Sequence, residues 1–201
     1  FGHAVNTLVA LREPTVMGNA QRRATLDVLI AALADEDLRD GAAVGLRGMG
    51  GYAVPLLVKQ LDSGDVRIRV TAAQALGAIN NLNAAKPLIQ RIANEREAEA
   101  LAAMIAAIQA MRARDAIPII VDIMESPRSK DSRVQGAVVS AIGRIGDTKG
   151  YPDEMARAIV AIRSLIDRDQ AMSGGVRESV RNQALTALGK IKPDGITNDL
   201  R

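Results

Sequence analysis

Side chains able to do chemistry are few in this sequence, and they are scattered. Gly48-Met49-Gly50-Gly51-Tyr52-Ala53 fits the G-x-G-x-x-A spacing whose backbone amides cradle a pyrophosphate. That chemistry needs a strand before the glycines and a helix after them. The residues before Gly48 have helical spacing instead, so the glycines are expected to end a helix. Asp35-Glu36-Asp37-Leu38-Arg39-Asp40-Gly41 has the acidic density of a calcium loop. Arg39, however, stands at the third ligand position, Gly41 falls one place late, and Leu46 replaces the closing Glu. Capping and surface charge are the expected roles. His3 has no second ligand close by, so no metal is expected there. Glu95-Arg96-Glu97-Ala98-Glu99 gathers carboxylates without a basic partner for catalysis and reads as a solvated helix start.

Composition narrows the chemistry further. The 201 residues contain no Cys, one His and 34 Ala, and their aromatics are Phe1, Tyr52 and Tyr151. Disulfides, thiolate metal sites and cysteine nucleophiles are thereby excluded, together with most imidazole chemistry. A non-enzyme without a cofactor is expected, and no small-molecule substrate. A hydrophobic fraction of 48% with 24% charged residues is a core-forming composition. Sandwiches and barrels usually carry more aromatic and β-branched bulk. The net charge is +3, all of it in residues 101–201. A nucleic-acid footprint needs clustered, uncompensated Lys and Arg, so nucleic acid is not the expected partner. No apolar run reaches the roughly 18–20 residues that span a bilayer, and no signal peptide is visible at Phe1. The absence of cysteine leaves the compartment open.

Two interleaved motifs organise the chain. Ala53-Val54-Pro55-Leu56-Leu57, Ala85-Lys86-Pro87-Leu88-Ile89 and Ala116-Ile117-Pro118-Ile119-Ile120 place their prolines 32 and 31 residues apart. A proline before apolar residues suits the first turn of a helix, where its missing N–H forfeits no bond. Asp65-Val66-Arg67-Ile68-Arg69 then runs into Ala72-Ala73-Gln74-Ala75-Leu76-Gly77. Copies follow at Asp35–Leu46, Asp131–Gly143 and Val180–Gly189, and a weaker one at Glu97–Met111 has Leu101 where others carry Arg or Gln. An Asp suits an N-cap, with Asp35 and Asp65 the best candidates, and a Gly at the far end suits the left-handed turn that stops a helix. Ile68, Ala72, Ala75, Leu76 and Ile79 make one buried stripe at helical spacing. No single helix pair can bury such a stripe alone, so the pairs must stack.

The proline helix, the Asp turn and the Val/Ile-Arg…Ala-Ala-x-Ala-Leu-Gly helix resemble HEAT repeats, especially the HEAT-like subclass named after phycobilisome lyases. The resemblance spans about residues 19–191. It implies an all-α fold, an α-α superhelix: a HEAT-like solenoid of about five stacked helix pairs. The units fall at about 19–49, 53–80, 84–111, 115–145 and 152–191, with a half unit at 2–12. The whole chain is expected to be one repeat domain within a longer array. HEAT-like hydroxylases of the deoxyhypusine type carry paired His-Glu motifs, absent here, and HEAT-like DNA glycosylases use aromatic side chains and a basic groove. Arg39, Arg69 and Arg181 share one place in their helices, where the family's arginine pairs with Asp or backbone of neighbouring units.

The resemblance also implies that the second helix of each unit lines a concave surface. Carried across, the rows are Asp37, Asp40, Gly41 and Val44; Arg67, Val70, Thr71 and Gln74; Glu99, Ala102, Ala103 and Ala106; Arg133, Gly136, Ala137 and Ser140; and Ser179, Asn182, Gln183 and Thr186. Their charges alternate, whereas a nucleic-acid groove would be basic throughout. The expected function is a non-catalytic scaffold that binds another protein or peptide along this face. Asp37, Asp40, Arg67, Thr71, Gln74, Glu99, Arg133, Ser140, Asn182 and Gln183 are its candidate contacts. A pigment-lyase-like subunit or cofactor-handling chaperone is one alternative, and a purely structural segment of a larger protein is another.

Overall fold

The computed structural model describes residues 18–146, 150–170 and 175–191. The expected half unit at 2–12 and His3 lie outside the described residues. Ten α-helices and no strand occur among the described residues. They are α1 Asn19–Ala32, α2 Arg39–Gly48, α3 Val54–Gln60, α4 Val66–Ile79 and α5 Ala85–Asn94, then α6 Ala98–Met111, α7 Ile117–Glu125, α8 Ser132–Ile145, α9 Pro152–Gln170 and α10 Gly175–Lys190. Odd-numbered helices are the first of each pair and even-numbered ones the second. Short 3-10 turns at Gly50–Tyr52, Leu82–Ala84 and Arg114–Ala116 lead into α3, α5 and α7. Pro55 and Pro118 sit in the first turns they enter.

Local chemistry sets most boundaries. The Asp65 carboxylate accepts the Arg67 N–H at 2.8 Å, and Asp131 accepts that of Arg133 at 2.9 Å, capping α4 and α8. Asp35 departs from the expected helix cap. Its carboxylate takes the N–H groups of Asp37 and Leu38, closing a turn, and α2 begins only at Arg39. At the other ends, Gly50 follows α2 in the left-handed region with φ 57°, the turn glycine expected of it. Asn80 (φ 55°) ends α4 and Arg112 (φ 52°) ends α6 in the same conformation.

The expectation that the glycine closing each Ala-Leu-Gly motif stops its helix is corrected. Gly77 and Gly143 lie inside α4 and α8. A Cβ on Gly77 would come within 2.9 Å of the Ala107 Cα, and one on Gly143 within 2.7 Å of the Ala187 Cα. These glycines let consecutive second helices cross at backbone distance.

That close approach shapes the molecule. Second helices pack on one another at every junction, and much more closely than the first helices do. The layer with the tighter spacing is the inner one, so the stack curves around α2, α4, α6, α8 and α10. Between the layers runs one continuous core, from Leu29, Leu46 and Leu57 through Leu76, Leu88 and Met104 to Ile120, Ile142 and Met155. In α4 the stripe residues Ala72, Ala75 and Leu76 are buried, and Ile68 and Ile79 half so. Burial extends to Arg69, Val70, Thr71 and Ala73, because α2 and α6 cover the helix on both sides.

Candidate functional site

Each second helix shows the inner surface only the residues its two neighbours leave open. In α4 these are Arg67, Gln74 and Ala78; Val70 and Thr71 lie underneath. Thr71 is 7% exposed and its hydroxyl donates to the Arg67 carbonyl, which places this expected contact below the surface. The same positions are open elsewhere: Val44 and Gly48, with the expected contact Asp37 exposed in the turn before α2 and not on the helix; Glu99, Ala106 and Ala110; Arg133 and Arg144, with Ser140 half-buried between them. Asp40, Asn182, Gln183 and Thr186 are also exposed, while the side chain of Ser179 lies outside the described residues.

Two expected contacts are knit into junctions. Gln109 Nε2 donates to Ser140 Oγ at 3.0 Å, and the Gln183 side chain packs over Gly136. The expected ladder charges are likewise engaged with one another. Arg67 lies 3.6 Å from both Glu36 and Asp65. Arg133 makes a two-pronged bond to Asp131, at 3.1 and 2.9 Å, with Glu99 at 3.9 Å. Hydrogen bonds from the Arg133 side chain, then from its amide, hold the Asp131 carboxyl below its ordinary pKa. Exposed pairs of this kind are screened by water and salt and hold weakly, so a partner's charges could displace them at little cost. Arg144 was not among the expected contacts; extending the 67–74 spacing by four residues to 78, and so to 144, would have found it.

A separate set of charges holds the units together at their turns. Glu95 was expected in a solvated cluster, but it is 2% exposed. Arg69 reaches it through Nε at 2.8 Å and a terminal nitrogen at 3.1 Å, and Arg91 through another at 3.1 Å. The amides of Arg96 and Glu97 donate to the same carboxylate. Arg69 further donates to the Ser63 carbonyl, Arg91 to that of Leu61, and Arg128 to those of Ile92, Ala93 and Glu95. Each arginine thus meets the carboxyl end of a first helix, where unpaired carbonyls favour a cation. Arg39 bonds the Leu33 carbonyl in this manner, but one of its terminal nitrogens is buried without a partner, as is Arg181 Nε. These residues serve the scaffold.

A cleft of about 100 Å³ opens beside Gln135, the residue that replaces the repeat arginine in the fourth unit. Among the described residues no group of three or more His, Asp or Glu could hold a metal ion, and no helix is long and apolar enough to cross a membrane.

A family model of HEAT repeats matches residues 26–108 and again 85–171. The chain belongs to the HEAT repeat family. Among solved structures, this HEAT repeat chain is similar to the complex of CpcE and CpcF of phycocyanin lyase from Nostoc sp. PCC7120. The two share 23% identity over 94% of this chain and 87% of that one, with a TM-score of 0.50, a likeness of fold. No curated protein matches the sequence.

Proposed function

We propose that this HEAT repeat chain is a non-catalytic scaffold that binds another protein or peptide along its second-helix face. The observation that carries the reading is the continuity of that face, formed by α2, α4, α6, α8 and α10 side by side. Between its charges stand small or uncharged residues such as Gln74, Ala78, Ala106, Ala110 and Thr186. Helices of ~21 Å spaced ~8–10 Å apart give a face on the order of 1,000 Å², close to one side of a standard protein interface at ~800 Å². With photoreactive groups at Gln74 and Ser140, the chain is expected to crosslink a protein from its native source. Arg67→Glu with Arg133→Glu should lower that yield severalfold and leave far-UV helicity unchanged. An equal yield from a probe at exposed Val160 on α9, in the other layer, would overturn the reading.

A second reading is a pigment-lyase-like subunit or cofactor-handling chaperone that works with a protein partner. The fold likeness to a two-subunit phycocyanin lyase complex supports it, and favours it over a purely structural segment. Mixing the chain with a bilin and an acceptor protein should then shift the pigment absorbance. An unchanged spectrum with no colour transfer would remove this reading.

A further inference from the structure

The two ends of the second helices differ in how their charges are satisfied. At the amino ends, Arg67 and Arg133 are each held by carboxylates. At the carboxyl ends, the matching windows 45–53, 76–84, 108–116, 142–150 and 187–195 hold seven cations and three carboxylates; Asp147, Lys149, Lys192 and Asp194 lie outside the described residues, which leaves five cations and one carboxylate, Asp115, among those described. That carboxylate already accepts the Tyr151 hydroxyl at 3.3 Å. The side chains of Arg47, Arg112, Arg144 and Lys190 are exposed there and make no ion pair or hydrogen bond among the described residues. A helix carboxyl end attracts a cation through its dipole, which alone accounts for Arg47, Arg144 and Lys190. It does not account for Arg112. That residue occupies the left-handed region with φ 52°, where the preceding unit uses Asn80 and where a long side chain is disfavoured. An arginine at a position that suits glycine or asparagine carries a local conformational cost.

We propose that this cationic edge binds an extended acidic segment of a protein partner, a refinement that rests on the scaffold reading above. Arg112, Arg144 and Lys190 come from three successive second helices, spaced ~8–10 Å apart. An extended peptide rises ~3.3 Å per residue, so carboxylates three residues apart match that step. A nucleic acid is disfavoured by the other end of the same face, where Asp37, Asp40 and Glu99 are exposed and would repel phosphates.

The test uses a fluorescein-labelled twelve-residue peptide with Asp at every third position, and a second peptide of the same composition with its Asp residues in one block. Fluorescence anisotropy should show saturable, salt-sensitive binding that is tighter for the spaced peptide. Arg112→Asn together with Arg144→Ser should weaken it by about tenfold, while Lys59→Ser, at an exposed position on α3 in the other layer, leaves it nearly unchanged. Arg112→Asn alone should raise the melting temperature, because asparagine tolerates the left-handed turn, so a loss of binding by this variant cannot come from misfolding. No saturable binding, equal affinity for both peptides, or indifference to the double variant would overturn the proposal. Tighter binding of a DNA duplex than of the spaced peptide would overturn it in favour of nucleic acid. If the edge fails while crosslinking at Gln74 still captures a protein, the scaffold reading stands alone. If peptide binding persists while that crosslinking fails, the wider face is the part that falls.

Discussion

Glu95 accepts hydrogen bonds from two Arg69 nitrogens and from the amides of Arg96 and Glu97, and pairs with Arg91 at 3.1 Å. Its burial would raise the carboxyl pKa, but the Arg69 hydrogen bonds, the Glu97 amide and the charges of Arg69 and Arg91 together hold it below the ordinary value. Glu95→Gln keeps the shape and leaves Arg69 buried without its counter-charge. Urea unfolding at neutral pH should show a loss of about 3–5 kcal/mol. Because the folded pKa is depressed, the unfolded chain binds the proton first as pH falls. The Glu95 contribution is therefore complete above the ordinary Glu value of about 4.3 and disappears as pH drops through the folded value. The gap between wild type and Glu95→Gln should narrow in that acid range; a gap constant with pH would mean that Glu95 is not charged in the native state. Residues 95–99 look solvated because four of the five are charged, while the partner that buries Glu95 stands 26 positions away at Arg69.

Among the helices, three glycines share one place in the repeat yet meet different surroundings. Gly77 faces Ala107 in α6, and Gly143 faces Ala187 in α10. Gly189 has open space where its Cβ would stand. Alanine at an exposed helical position gains up to about 1 kcal/mol over glycine, but overpacking a tight contact costs about 1–3 kcal/mol. Gly143→Ala should thus destabilise the chain and Gly189→Ala stabilise it, with Gly77→Ala on the destabilising side. Thermal melts of the three variants check this ordering, and a stabilised Gly143→Ala would mean that the α8–α10 crossing is looser than it looks. The caps, by contrast, could be read locally. Asp65 and Asp131 each stand just ahead of an apolar-periodic run and bond an amide two residues on.

Across the whole stack, the junctions are unequal. Arg69, Arg91 and Arg128 bind the second, third and fourth units together, and Arg157 joins the fifth to Asp122 and Glu125. Between the first and second units, Arg39 leaves a buried nitrogen unpaired, and α2 meets α4 over less surface than later second helices share. The Arg67–Glu36 pair that crosses this junction is exposed. Repeat arrays sum unit stabilities and neighbour interfaces, so the first unit should open at the lowest free energy. Native-state hydrogen exchange should show amides of α2 exchanging before those of α6 and α8. Equal protection across the three would show that the array opens as one body.

The prolines of α3, α5 and α7, the capping aspartates and the spacing of Ala and Leu were readable as helix pairs that had to stack, because capping, φ restriction and apolar periodicity act within a few residues. Which glycine is crowded, which glutamate is buried and which threonine sinks beneath the inner face depend on what a neighbouring unit brings across, some thirty residues away in the chain. Identical repeat positions then acquire opposite roles. Only the packing of one helix pair on the next made Gly143 a crossing point, Glu95 a clamp, and the carboxyl ends of the second helices a row of open cations.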